Sequence, residues 1–129
     1  MRFLVVGGFA VAVHGIPRYT KGLDLWIECS EANAKKLLAV LEAFGFGSLD
    51  LTVEDFTTPD LVIQLGYEPN RIDFLTGLTG VTFDDAFPKR VSATLDGINV
   101  PVIDRASLAT NKRAFGRPQD LVDAEGLEK

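Results

Sequence analysis

Gly7-Gly8-Phe9-Ala10-Val11-Ala12 decides how this chain is read, together with Phe3-Leu4-Val5-Val6 before it and Gly22-Leu23-Asp24-Leu25 after a short basic loop. Phe3 to Val6 is a short, continuous apolar run ended by glycines, the pattern of a buried strand. Phe9 to His14 is compatible with a helix, closed by Gly15 and by Pro17 shortly afterwards. Leu23 to Ile27 alternates, so that Asp24 faces away from Leu23 and Leu25. The order is therefore strand, glycine pair, helix, and a second strand that carries a carboxylate. A glycine pair at such a junction lets an anion approach the backbone closely, and the helix it opens offers unsatisfied N–H groups. The same pair also serves simply as a tight strand-to-helix turn.

Further along, Ser30 is an N-cap with Glu31 in the first turn behind it. The helix it opens places Leu37, Leu38, Val40, Leu41 and Phe44 on one broad face, with Gly45 as its stop. A brief helical turn is expected over Thr52 to Phe56. Leu61 to Leu65 and Arg71 to Leu75 read as strands joined by the hairpin-length loop 66–70. Asp84 to Phe87 reads as another short helical turn. Val91 to Leu95 and Ile98 to Val102 flank Asp96-Gly97, a pair that tolerates the positive φ angles of a tight turn. Ser107 to Ala114 and Pro118 to Leu127 read as helices separated by Gly116, with Pro118 suited to a first helical position. The expected fold is α+β, a mixed sheet with helices packed against it, in a single domain over residues 1–129.

Bulk properties agree. A chain of 129 residues can bury one core without staples. The net charge of −5 argues against a surface built for general nucleic-acid binding, yet leaves room for a local basic pocket. Cys29 is the single cysteine, which excludes an internal disulfide and favours a reducing compartment. The apolar start is interrupted by Gly7-Gly8, unlike a signal peptide, and no apolar run reaches the roughly 20 residues of a membrane span. A cytoplasmic location with no membrane partner is the expectation.

Asp24 and Asp73 each stand in mid-strand between apolar neighbours. Two carboxylates on one sheet face repel unless a cation lies between them, and magnesium held by one or two carboxylates plus substrate phosphates is a common solution. The other reading places both strands on a wet face, where acids are ordinary. Arg18 and Lys21, in the loop before Asp24, are placed to meet phosphate oxygens, and Lys112 can close the site from the other side. Arg113 reads as a charge in a last helical turn, and Arg117 with Asp120 as a local ion pair at a helix start. His14 reads as a capping or packing residue, Trp26 as a core aromatic or, through its alternation with Asp24, a border of the pocket, and Tyr19 as a surface on which a base can stack.

Val6-Gly7-Gly8, the helix ending at His14-Gly15, the loop Pro17-Arg18-Tyr19-Thr20-Lys21 and the strand Leu23-Asp24-Leu25-Trp26 resemble the minimal nucleotidyltransferases of the DNA polymerase β-like superfamily. The AbiEii-like toxins and related stand-alone proteins are the most similar variety. The resemblance continues through Arg71-Ile72-Asp73-Phe74-Leu75, Pro101-Val102-Ile103, Asn111-Lys112-Arg113 and Arg117-Pro118-Gln119-Asp120-Leu121. It implies a nucleotidyltransferase-like fold and transfer of a nucleoside monophosphate from a nucleoside triphosphate to an acceptor hydroxyl on RNA, protein or a small molecule. Magnesium or manganese would be the cofactor, and an antitoxin a possible partner. Gly7 and Gly8 match the family's phosphate-side glycines, with Arg18, Lys21 and Lys112 also on the nucleotide. Asp24 matches the second metal-binding carboxylate and Asp73 the third. Gly22 stands where the first is expected, and Glu28 lies too far along the strand to replace it. An impaired enzyme is one implication. A catalytically inactive domain of the same fold, binding nucleotide or a partner, is the other. Members of the family often carry a helix before the first strand, and this chain begins on that strand.

Overall fold

The structure, a computed structural model, describes residues 1–20, 22–46, 50–68 and 70–129. Strand β1 (Phe3–Val6) leads directly into helix α1 (Gly7–Val13). Strand β2 (Gly22–Ile27) and helix α2 (Glu31–Ala43) follow. A 3-10 turn at Glu54–Phe56 precedes the hairpin of β3 (Val62–Leu65) and β4 (Arg71–Leu75). Helix α3 (Phe83–Ala86) runs into a 3-10 turn at Phe87–Lys89. The hairpin of β5 (Val91–Leu95) and β6 (Ile98–Val102) then leads to α4 (Arg105–Phe115) and α5 (Pro118–Leu127). The fold is α+β, built on a six-stranded mixed sheet in the order β3-β4-β2-β1-β6-β5.

Strands β1 and β2 pair antiparallel, whereas β1 with β6 and β2 with β4 pair parallel. Both hairpins are antiparallel, and Asp96 and Gly97 make the second turn at φ 50° and 79° as a two-residue hairpin loop requires. Alternation along β2 sends its side chains into two cores. One core joins Leu4, Val6 and Trp26 of the sheet to Ala10, Ala86 and Leu108. The other joins Ile27 and Phe74 to Ala34, Leu37 and Leu41 of α2 and to Phe56. Trp26 is a buried core residue that meets Phe83 edge to face at 5.2 Å between ring centroids.

Helix α2 begins as its sequence dictates, with Ser30 Oγ accepting from Asn33 N at 3.3 Å. Its buried face is narrower than the expected one. Ala34, Leu37 and Leu41 are covered, whereas Val40 and Phe44 are exposed. Helix α1 starts at Gly7, two residues before Phe9, because Gly7 adopts φ 67° and turns the chain out of β1 at once. His14 serves packing, its Nε2 lying 2.8 Å from the Ile103 carbonyl oxygen. Among the described residues, no helix is long and apolar enough to cross a membrane.

Candidate functional site

Parallel pairing of β2 with β4 sets the site. Asp24 stands opposite Asp73 and Gly22 opposite Arg71, so the four share one face of adjacent strands. On the other side of β2, Asp24 is paired with Val6, the last residue of β1 before the glycines. The Asp24 carboxylate consequently lies against Gly7, where a Cβ would collide with Asp24 Oδ2. At Gly8 a Cβ would press on Thr20 Cγ2. The glycine pair is thus both a turn and a close-approach surface: Gly7 makes room for the carboxylate, and Gly8 for the loop that carries Arg18 and Thr20.

The wet-face reading of the two acids does not hold. Asp73 is 8% exposed and Asp24 is half-buried. Burial first, then the Asp73 charge and a hydrogen bond from protonated Asp24 to Asp73, together push the Asp24 carboxyl up to about 6 against the opposing pull of Arg71 and Lys112. Asp73 Oδ1 is buried and accepts no hydrogen bond. The nearest cation is Arg71, whose Nε is 3.2 Å from that oxygen without the alignment of a hydrogen bond.

This donor set fits one divalent ion. Two adjacent carboxylates, one with an unsatisfied buried oxygen, suit a hard cation whose remaining shell comes from water and phosphate oxygens. It does not fit two ions, since the described residues contain no group of three or more acidic, histidine or cysteine side chains able to hold a metal. Gly22 leaves no place for a third acid, because a Cβ there would run into the Arg71 carbonyl oxygen. Glu28, at the far end of β2, is engaged by Arg2 Nη1 at 3.2 Å and by Ser30 Oγ at 2.8 Å.

Two recesses meet at Gly8, Arg18 and Asp24. One, of about 200 Å³, extends past Tyr19 and Thr20 to Gly22 and Arg71. The other, of about 310 Å³, extends past Gly7 and Lys112 to Leu78 and Phe115. The structure therefore brings Gly7, Gly8, Arg18, Asp24 and Lys112 around one space, with Asp73 beside Asp24. Lys21 lies outside the described residues. A larger recess of about 540 Å³ lies between Pro88, Arg90, Ser92 and Pro101, and none of these carboxylates lines it.

The cations are held from α5. Asp120 and Asp123, each 2% exposed, occupy the buried face of α5 with Ala124 and Leu127. Arg18 Nη2 donates to Asp123 Oδ1, and Gln119 Nε2 donates to the same oxygen at 3.0 Å. Lys112 Nζ lies 3.4 Å from Asp120 Oδ1 and 3.7 Å from Asp123 Oδ2. Arg117 donates to Asp120 through Nε at 2.6 Å and Nη2 at 3.3 Å, and its guanidinium holds Asp120 below the usual carboxylate range against the effect of burial. Asp120 is thus no surface partner of Arg117 but a buried anchor shared by two cations. Arg113 turns away to Glu128 at 2.5 Å.

Sequence reasoning missed Arg71 and Asp123. Arg71 stands two residues before Asp73, which puts it on the same strand face. Asp120 and Asp123 follow the i, i+3, i+4, i+7 spacing of a buried helix face with Ala124 and Leu127, a signal legible without coordinates. Compared with known families and with curated proteins, the chain matches no family model and no individual protein significantly.

Proposed function

We propose that this protein is a nucleotidyltransferase-like enzyme that binds a nucleoside triphosphate with magnesium or manganese at Asp24 and Asp73. It transfers the nucleoside monophosphate to an acceptor hydroxyl on RNA, a protein or a small molecule. The observation that carries this reading is the strand register, which sets Asp24 beside Asp73 while packing Asp24 against Gly7 at the start of α1.

Asp24 and Asp73 would hold the ion, which when bound neutralises the carboxylates and draws charge from the triphosphate. Arg18 and Lys112, anchored by Asp123 and Asp120, supply positive charge to phosphate oxygens in the recess that Gly7 and Gly8 line. On the resemblance, Asp73 would also help to remove the proton of the attacking hydroxyl. Preorganised charges of this kind carry much of the catalysis in such transfers, and a single missing one costs roughly two to three orders of magnitude in rate. The Gly22 position therefore sets a slow enzyme. A cytoplasmic toxin restrained by an antitoxin is the biological setting the resemblance favours.

One observation favours a second reading, a domain that binds nucleotide without transferring it. Gly22 removes an acid, and Arg71 places a resident positive charge 3.2 Å from Asp73 Oδ1. Both readings are tested by incubating the protein with each α-labelled nucleoside triphosphate, magnesium or manganese, and bulk RNA. Label on RNA or protein that disappears in Asp24→Asn and Asp73→Asn supports transfer. Metal-dependent binding by calorimetry without label leaves the second reading. Neither binding nor label refutes both.

A further inference from the structure

We infer that Phe115, backed by Arg117, is the platform on which the base of the bound nucleotide stacks. The inference rests on the nucleotide reading above and adds to it the part of the cavity that receives the base. The 310 Å³ recess has a mixed lining, with the charged Arg18, Asp24 and Lys112 sharing it with the apolar Leu75, Leu78 and Phe115.

Phe115 is the last residue of α4 and is 52% exposed, an aromatic ring left at the mouth of a polar cavity. Gly116, at φ 75°, ends the helix and turns the chain. The Arg117 guanidinium then lies 4.5 Å from the Phe115 ring centroid. Arg117 is itself fixed by two hydrogen bonds to buried Asp120. Ring and guanidinium form a preordered pair, and an aromatic ring accepts bases of any identity because every base has a π face. Asn111, on the same recess, donates Nδ2 to the Thr79 carbonyl at 3.0 Å. That bond leaves its side-chain oxygen without a partner among the described residues, an acceptor for an amino group on a base edge.

Tyr19 is the competing platform and is 80% exposed. Its recess is lined by Arg18, Thr20, Gly22, Asp24 and Arg71, with no apolar wall to receive a base. The geometry favours Phe115.

The test is calorimetry on the full chain with magnesium, titrating the four nucleoside triphosphates and, separately, inorganic tripolyphosphate. Wild-type protein is expected to bind its best nucleotide at least about tenfold more tightly than tripolyphosphate, the difference being the base. Phe115→Ala is expected to weaken the nucleotide about 5- to 150-fold and to leave tripolyphosphate unchanged. Phe115→Trp is expected to restore nucleotide affinity, and Tyr19→Ala to change neither. Equal loss of nucleotide and tripolyphosphate in Phe115→Ala, an unchanged nucleotide affinity there, or a base-specific loss in Tyr19→Ala overturns the assignment while leaving the nucleotide site standing. Wild-type protein that binds neither compound refutes the nucleotide reading and this inference with it.

Discussion

Replacing Asp24 with Asn is expected to stabilise the ligand-free protein at neutral pH while it disables the site. In the folded chain the Asp24 carboxyl titrates near 6 rather than 3.8, because burial and the neighbouring Asp73 penalise its charged form. The folded state therefore binds this proton more tightly than the unfolded chain does. The stabilisation is fully present below about pH 3.8 and is lost as pH rises through about 6. At 1.36 kcal/mol per pH unit, the rise from 3.8 to about 6 corresponds to roughly 3 kcal/mol for a fully buried group. Asp24 is only half-buried, and solvent screening reduces that to about 1–2 kcal/mol. Asn keeps the shape, donates a hydrogen bond toward Asp73 and carries no charge at any pH. Above pH 7 the variant should melt about 4–8 °C higher than wild type, and the gap should vanish near pH 4. Thermal and urea denaturation of both proteins from pH 4 to 8 measures it. A variant less stable than wild type at pH 7.5, or parallel pH profiles for the two, would refute the reasoning.

Gly22→Ala is expected to cost about 1–3 kcal/mol in urea denaturation, since its Cβ meets a backbone carbonyl rather than a movable side chain. Gly22→Asp inherits the same strain, so failure to gain activity in that variant is informative only if its melting temperature is close to wild type. Gly7→Ala combines a φ of 67° with a collision against Asp24; it should lose about 1–3 kcal/mol and, by calorimetry, metal-dependent nucleotide binding as well. Asp120→Ala should destabilise the chain by about 2–3 kcal/mol, less than a fully buried pair because Arg117 remains largely in water.

The local elements were legible in the sequence because their signals are local. Strands β4, β5 and β6 and helix α5 run between the residues that turn chemistry and Pro118 mark. The α+β class followed from them. The strand order did not, since nothing in the composition of β6 says that it lies parallel to β1, some ninety residues away in sequence. Asp24 and Asp73 were recognisable as acids between apolar neighbours, but their direct opposition depends on the β2–β4 register, which hydrophobic alternation leaves open by steps of two. The pair Arg18–Asp123 is separated by 105 residues and was invisible for the same reason. Phe44, exposed although it shares the α2 stripe, shows the limit of periodicity: a helix face is only as wide as the surface that receives it.

The place of β1 in the sheet has a consequence for how the protein is made. Its parallel partner β6 and the α4–α5 pair come from the last third of the 129-residue chain. On a ribosome, β1 to β4 can zip together with Asp24 already opposite Asp73, while the far edge of β1 still has no neighbour. That edge, carrying Leu4, Val5 and Val6, is open to strands of other molecules until β6 emerges. Both acids, Asp24 and Asp73, are synthesised before Lys112 and the helix-borne carboxylates that complete their surroundings. Chaperone dependence and inclusion-body formation should track the delay between synthesis of β4 and β6, so pauses in translation over residues 76–98 are the ones expected to lower soluble yield.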